Sequence, residues 1–308
     1  MIPFLLLYKI MQLCAVMAIG FALVKLGLLH SSDSRALSRV SLYILMPAAI
    51  INSFNVNLTR DIIFGFLLAC GAGVLIHLLL LVVVAVFAKT THATAVEKAS
   101  VFYSNAANLI IPIVSFVLGD EWVIYSLAFL SVQLVFIWSH GVCLFHSGEK
   151  MNLKKILLNP SIIAIGIGLV ILVSGITLPK FVTDITGPIG GVLGYVGMLI
   201  AGMTAAGLRI GETAKNKRLY LTAAMRNIVC PLIVLALLKL AVPFIPVANA
   251  DKILLISFLA TTTPSAATVM QFAQIYDTET DYSVAINILT TLISCLTIPL
   301  FVLIYQAL

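Results

Sequence analysis

Charge is scarce in this sequence: of 308 residues only 10% are Asp, Glu, Lys or Arg, while 61% are hydrophobic. With a mean hydropathy of +1.14, that balance excludes a soluble domain and describes a polytopic membrane protein. Acidic residues are the scarcest charge. All 12 fall in loops or near the ends of apolar spans, so the buried carboxylates that usually bind sodium or protons in ion-driven carriers are not expected. The same shortage argues against an antiporter or an intramembrane protease built on paired aspartates. Cysteine offers no metal site either, because Cys14, Cys70, Cys143, Cys230 and Cys295 lie inside apolar spans without CxxC or Cys/His spacing. They read as buried free thiols. Neither HExxH nor GxSxG occurs, so no enzyme, metal or cofactor is expected.

What is present is hydrophobic length. Segments at 4–24, 35–54, 61–88, 95–118, 122–146, 156–175, 186–208, 219–241, 251–274 and 282–305 are each long enough to cross a bilayer at about 20 residues per crossing. The first lacks a basic leader and a small-residue cleavage site, so it reads as a membrane helix rather than a signal peptide. The polar loop at 147–155 divides the chain into a five-helix half at 1–146 and another at 156–308. Basic residues set the orientation. Lys25, Arg35, Arg39, Lys89, Lys98, Lys150, Lys154, Lys155, Arg209, Lys215, Lys217 and Arg218 fall on one side, and Arg60, Lys180 and Lys252 on the other. The mid-chain loop is therefore expected in the cytoplasm and both termini outside. The net charge of +6 is this bias and calls for no nucleic-acid partner; the partners expected are lipid and a small solute.

Two spans are interrupted midway by similar runs, Ser104-Asn-Ala-Ala-Asn108 with Pro112 beyond, and Pro264-Ser-Ala-Ala-Thr268. Lipid cannot satisfy backbone groups freed by such breaks, so they persist only inside protein or around a cavity. An offset of 160 residues superposes them, placing Ser104 on Pro264 and Asn108 on Thr268. An odd number of helices per half inverts the second half. The fold expected is thus all-α, with ten transmembrane helices in two inverted five-helix repeats and broken helices 4 and 9 crossing near the bilayer centre. Ser104 and Ile110 predict a softer break in helix 4, resting on Asn105 and Pro112, than the one at Pro264. Gly187, Gly190, Gly191, Gly194 and Gly197 in the seventh span read as a packing or dimer face.

In order along the chain, Pro47, Asn105-Ala-Ala-Asn-Leu-Ile-Ile-Pro112, Gly119, Asn159-Pro160, Arg226-Asn-Ile-Val-Cys-Pro231, Pro264-Ser-Ala-Ala, Ala273-Gln-Ile-Tyr-Asp277 and Thr297-Ile-Pro299 resemble the auxin efflux carrier family of membrane transport proteins over nearly the whole length. Ile110 departs from the family's glycine, and Ser104 stands where plant members often have proline. The resemblance implies a bundle of helices 3–5 and 8–10 moving against a scaffold of helices 1, 2, 6 and 7, a homodimer paired through the scaffold, and Asn105 as a substrate contact.

Half-helix N-termini carry free N–H groups and partial positive charge, which suits a carboxylate. Ser104, Asn105, Asn108, Thr263, Ser265 and Thr268 add hydrogen-bonding groups around the breaks, or else merely satisfy the broken backbone. Gln133 and His140 in the fifth span are further candidates for substrate or proton contact, and Arg226 either snorkels or guides an anion toward the site. The expected function is secondary transport of a small organic anion across the cell membrane, in the efflux direction, with proton coupling through the substrate's own carboxyl left open. A sodium-coupled organic-anion symporter and a transporter-like sensor without turnover are the alternatives.

Overall fold

Helix starts are written in short polar signals between the apolar runs. Thr59 Oγ1 accepts from the Ile62 N–H, Asn159 Oδ1 from Ser161, and Asn216 Oδ1 from Arg218; each occupies a donor that the first helical turn leaves over. Thr94 and Glu97 form a reciprocal capping box. Among the residues that the computed structural model describes (2–55, 59–145, 154, 157–208 and 215–308), the chain is helical and contains no named strand. Most of the 147–155 loop lies outside the described residues.

The helices are α1 (Ile2–Lys25), α2 (Ser31–Ser53), α3 (Arg60–Thr91), α4a (Ala95–Phe102), α4b (Ala106–Leu118), α5 (Asp120–Phe145), α6 (Pro160–Ser174), α7 (Lys180–Ala206), α8 (Lys217–Phe244), α9a (Ala250–Thr262), α9b (Ala267–Ile275) and α10 (Thr280–Ala307). Seven stretches, within α1 and across α2, α3, α5, α7, α8 and α10, are long and apolar enough to cross a membrane. Wide π turns interrupt α2 at Ser41–Leu45, α5 at Ile137–Gly141 and α8 at Met225–Val229. Pro47 and Pro231 follow two of them. Each lacks the N–H that would bond the carbonyl four residues back, so the ladder widens rather than leaving that turn strained.

α1 runs along α7, and α2 packs on α6 and α7; α3 packs on α5 and α9a, while α10 touches α1, α4a, α8 and α9. Glycine sets the closest approach. A Cβ at Gly190 would lie 2.5 Å from the Ala49 Cα, so α7 and α2 meet backbone to backbone. At the end carrying most of the basic residues, buried Glu97 accepts from Arg218 Nε at 2.8 Å and Nη2 at 2.5 Å and from the Tyr282 hydroxyl at 2.9 Å. Arg218 also donates to the Thr91 and His92 carbonyls, so one charge pair ties the starts of α4a, α8 and α10. This acid is buried, yet it sits at a helix start as the sequence places it, and its charge is compensated.

The break in α4 is not the softer of the two. Residues 103–105 leave the helix as completely as 263–266 do, because the two interruptions pair with each other: the Asn105 N–H donates to the Pro264 carbonyl at 2.8 Å and the Ala266 N–H to the Tyr103 carbonyl at 3.0 Å. Each supplies the partners that its own helix has lost. Pro112, expected to contribute to the break, instead lies inside α4b. There its ring deprives only the Asn108 carbonyl of a helical donor.

Candidate functional site

The crossing of α4 and α9 brings four helix ends to one point, and side chains from α5, α8 and α10 hold it. Gln133 of α5 donates to the Ser104 carbonyl at 2.8 Å and accepts from the Ser104 hydroxyl at 2.5 Å. Asn287 of α10 donates to the Ser265 carbonyl at 2.6 Å, and the Ser265 N–H donates to Thr290 Oγ1 at 3.2 Å. Asn227 of α8 donates to the Thr290 carbonyl at 2.9 Å. Such satisfaction is what permits irregular backbone at this depth.

Arg226 occupies the C-terminal ends. Its guanidinium is 0% exposed and donates to the Val101 carbonyl at the end of α4a (3.1 Å), and to the Thr261 (2.6 Å) and Thr263 (2.9 and 3.1 Å) carbonyls at the end of α9a. It does not snorkel. A π turn at Met225–Val229 carries this side chain, and its positive charge meets the negative ends of two helix dipoles at once. The N-terminal ends of α4b and α9b carry no such counter-charge, and their first N–H groups have no intrahelical acceptor.

Those N-terminal ends face a cavity of about 90 Å³ that reaches the basic end of the molecule. Ser104, Asn105, Asn108, Gln133 and Thr268 all line it, so five of the candidate site residues converge. Asn108 Nδ2 donates to Asn105 Oδ1 at 3.1 Å, while Asn108 Oδ1 is buried without a protein partner. The other candidates stand apart. Thr263 donates back to the Ala260 carbonyl, and Ser265 is buried on the far side of the crossing, where its hydroxyl lacks a partner. The Tyr103 hydroxyl donates to the Phe136 carbonyl at 2.8 Å, which makes His140 Nδ1, also at 2.8 Å, a donor to it. His140 thus braces the residue next to the crossing without lining the cavity.

In the sequence Arg35 reads only as one of the basic residues that set membrane orientation. It lines the mouth of the cavity from the start of α2, together with Ser38 and, on α9b, Gln274. Arg35 and Arg39 also face an adjoining groove, and neither has an ion-pair partner among the described residues. Of the seventh-span glycines, read as a packing or dimer face, Gly190, Gly194 and Gly197 do lie at close helix contacts. Gly197 lines the cavity, and a Cβ there would lie 2.9 Å from the Asn108 amide carbon; one at Gly194 would lie 2.7 Å from Pro112 Cγ. These two face α4b rather than a dimer partner.

A second cavity, about 840 Å³, opens at the opposite end between α2, α4b and α7, lined by Ala49, Asn52, Ile111, Ser115 and Gly191. One helical turn separates the two cavities on α4b (Asn108 to Ile111) and on α2 (Met46 to Ala49). Between them stands the contact of Pro112 with Gly194. A polar cavity at a helix crossing, open to one end and divided from the other by a single layer, suits a membrane transporter.

Comparison with known proteins agrees. No curated protein matches the sequence. The family described as Membrane transport protein matches residues 5–153 and again residues 144–302, once over each half, and with nearly the whole chain covered by this repeated match, the protein belongs to the membrane transport protein family, the auxin efflux carriers.

Proposed function

We propose that this transporter moves a small organic carboxylate by alternating access around the crossing of α4 and α9. The observation that carries the reading is electrostatic asymmetry. Arg226 compensates both C-terminal helix ends, whereas the N-terminal ends of α4b and α9b face the cavity with amide and hydroxyl side chains and no carboxylate among its lining residues. An anion there gains from two helix dipoles without the desolvation cost of a dedicated buried cation. The unpartnered Asn108 Oδ1 would accept from a hydroxyl or protonated carboxyl of the same ligand. In this reading α6 and the two broken helices join the seven long spans to give ten crossings in two inverted halves. α3, α4, α5, α8, α9 and α10 move as a bundle against α1, α2, α6 and α7. The basic end is cytoplasmic, so the site as it stands loads from the side on which an exported anion is found.

Transport by purified protein in proteoliposomes tests this, with a panel of radiolabelled mono- and dicarboxylates. Asn105→Ala removes amide contacts to a charged group worth about 1.5–3 kcal/mol each, so affinity should fall roughly ten- to a hundredfold. Wild-type affinity in that variant would remove the crossing from substrate binding. Flux that needs sodium at every pH would favour a symporter instead.

Arg35→Gln should act differently. An exposed cation at the mouth raises local anion concentration without holding the ligand, so the expected result is KM raised roughly two- to fivefold at low salt with unchanged maximal rate, for an effect of about 0.5–1 kcal/mol. The difference should fade near 1 M salt, where the screening length shrinks to about 3 Å. A loss of maximal rate that persists in high salt would place Arg35 elsewhere in the cycle.

A further inference from the structure

Two of the five cysteines meet across the molecule. Cys14 Sγ of α1 and Cys295 Sγ of α10 are 2.8 Å apart, although 281 residues separate them in sequence. Both are free and only partly buried. They line a small void of about 10 Å³ together with Leu109 and Ile113 of α4b, Met198 of α7 and Thr291 of α10, and Cys295 also donates to the Thr291 carbonyl. A disulfide needs the sulfurs about 2.05 Å apart, so closing the pair requires an approach of roughly 0.8 Å, with the void leaving room for the side chains to turn. Neither cysteine lines the cavity at the crossing.

Their position gives the pair a consequence. α1 packs along α7 and against α10, and α10 packs also on α7, α4a, α8 and α9. A covalent bond between α1 and α10 would join the two groups of helices that slide past one another in the proposed transport cycle. The inference rests on that cycle for its effect on flux, and on the thiol contact alone for the bond.

We propose that Cys14 and Cys295 form a reversible disulfide that locks the transporter in one conformation when a peroxide oxidises it. One thiolate attacks the O–O bond of hydrogen peroxide, giving a sulfenic acid and, with one proton, water. The second thiol, losing its proton, then attacks that sulfur; the S–S bond forms, the S–O bond breaks, and a second water leaves. Two thiols lose two electrons and two protons, and one peroxide becomes two waters. Hydrogen peroxide is neutral and little larger than water, so it can reach thiols at this depth. A dithiol reductant reverses the bond by thiol–disulfide exchange, leaving as its own cyclic disulfide.

Cys143 is exposed and would cross-link between molecules, so the test uses a Cys143→Ser background in proteoliposomes. Peroxide followed by alkylation of free thiols and mass spectrometry should find the peptides of Cys14 and Cys295 joined. Carboxylate flux should drop at least about tenfold and return on adding dithiothreitol, while Cys14→Ser and Cys295→Ser variants, which lose one thiol each, should transport equally before and after peroxide. An absent cross-link under conditions that oxidise Cys143 in the parent protein overturns the proposal, and so does a cross-linked protein with undiminished flux. If the reduced protein moves no carboxylate at all, the proposed function fails instead. Locking is then read by hydrogen exchange, which should slow across α1 and α10 on oxidation; unchanged exchange would refute it.

Discussion

Arg226→Met should remove transport and lower thermal stability together, the largest effect expected from any single substitution in this chain. The change deletes four hydrogen bonds to the carbonyls of Val101, Thr261 and Thr263, all at half-helix ends around a fully buried side chain. Each buried carbonyl left unpaired costs about 1–3 kcal/mol. Three of them outweigh the desolvation that a neutral side chain saves, since the guanidinium shares its charge among carbonyl dipoles rather than standing alone. Two negative helix ends would also lie uncompensated on the other side of the crossing from the proposed anion site, so affinity should fall in whatever protein still folds. Arg226→Lys keeps the charge but offers a point donor in place of a planar fork, and should be intermediate in both measures. Thermal unfolding in detergent, followed by flux in proteoliposomes, checks the pair. Wild-type stability in Arg226→Met would show that the carbonyl contacts are incidental.

The second large effect is expected at Gly194. A Cβ there would lie 2.7 Å from Pro112 Cγ and 2.9 Å from the Asn108 carbonyl oxygen, and a valine adds two methyl groups beyond it. Overpacking of this kind costs about 1–3 kcal/mol. If α4b must slide past α7 here, that cost falls on the moving step, and flux should drop roughly 5- to 160-fold. Binding from the basic end should suffer far less, because the contact lies beyond the cavity floor. Equilibrium binding of a carboxylate measured beside flux separates the two. Equal loss of both would mean that Gly194 shapes the site rather than the barrier, and no loss of either would mean that α4b does not move against α7.

The partition between what could be read and what could not follows from range. Scarce charge, apolar runs of bilayer length and the matched interruptions at Ser104–Asn108 and Pro264–Thr268 are local or periodic signals, and they gave the membrane class, the helical fold and the family. Asn105, Asn108 and Thr268 were legible as candidates, and they line the cavity, because polarity at membrane depth is itself costly and so informative. The break in helix 4 was misjudged because its cause is not local. Ser104 is no breaker; the antiparallel pairing with Ser265, reinforced by Gln133, holds the backbone open. Pro112 has the composition of a breaker yet sits at ease inside α4b, where only one carbonyl loses its donor.

Sequence alone therefore determined what kind of solvent surrounds this protein and where its helices fail, since hydrophobic length and polar interruption are properties of neighbouring residues. Only the tertiary structure decided which charges are buried at the crossing and which stand at the cavity mouth. Arg226 and Arg35 carry the same side chain, and one is buried with four hydrogen bonds to three helix-end carbonyls, while the other lines a cavity mouth with no ion-pair partner among the described residues. Likewise, two thiols 281 residues apart became neighbours, and two cavities came to face each other across Gly194 and Pro112. Such assignments depend on which helices pack together, and packing is a relation between distant segments that no local pattern encodes.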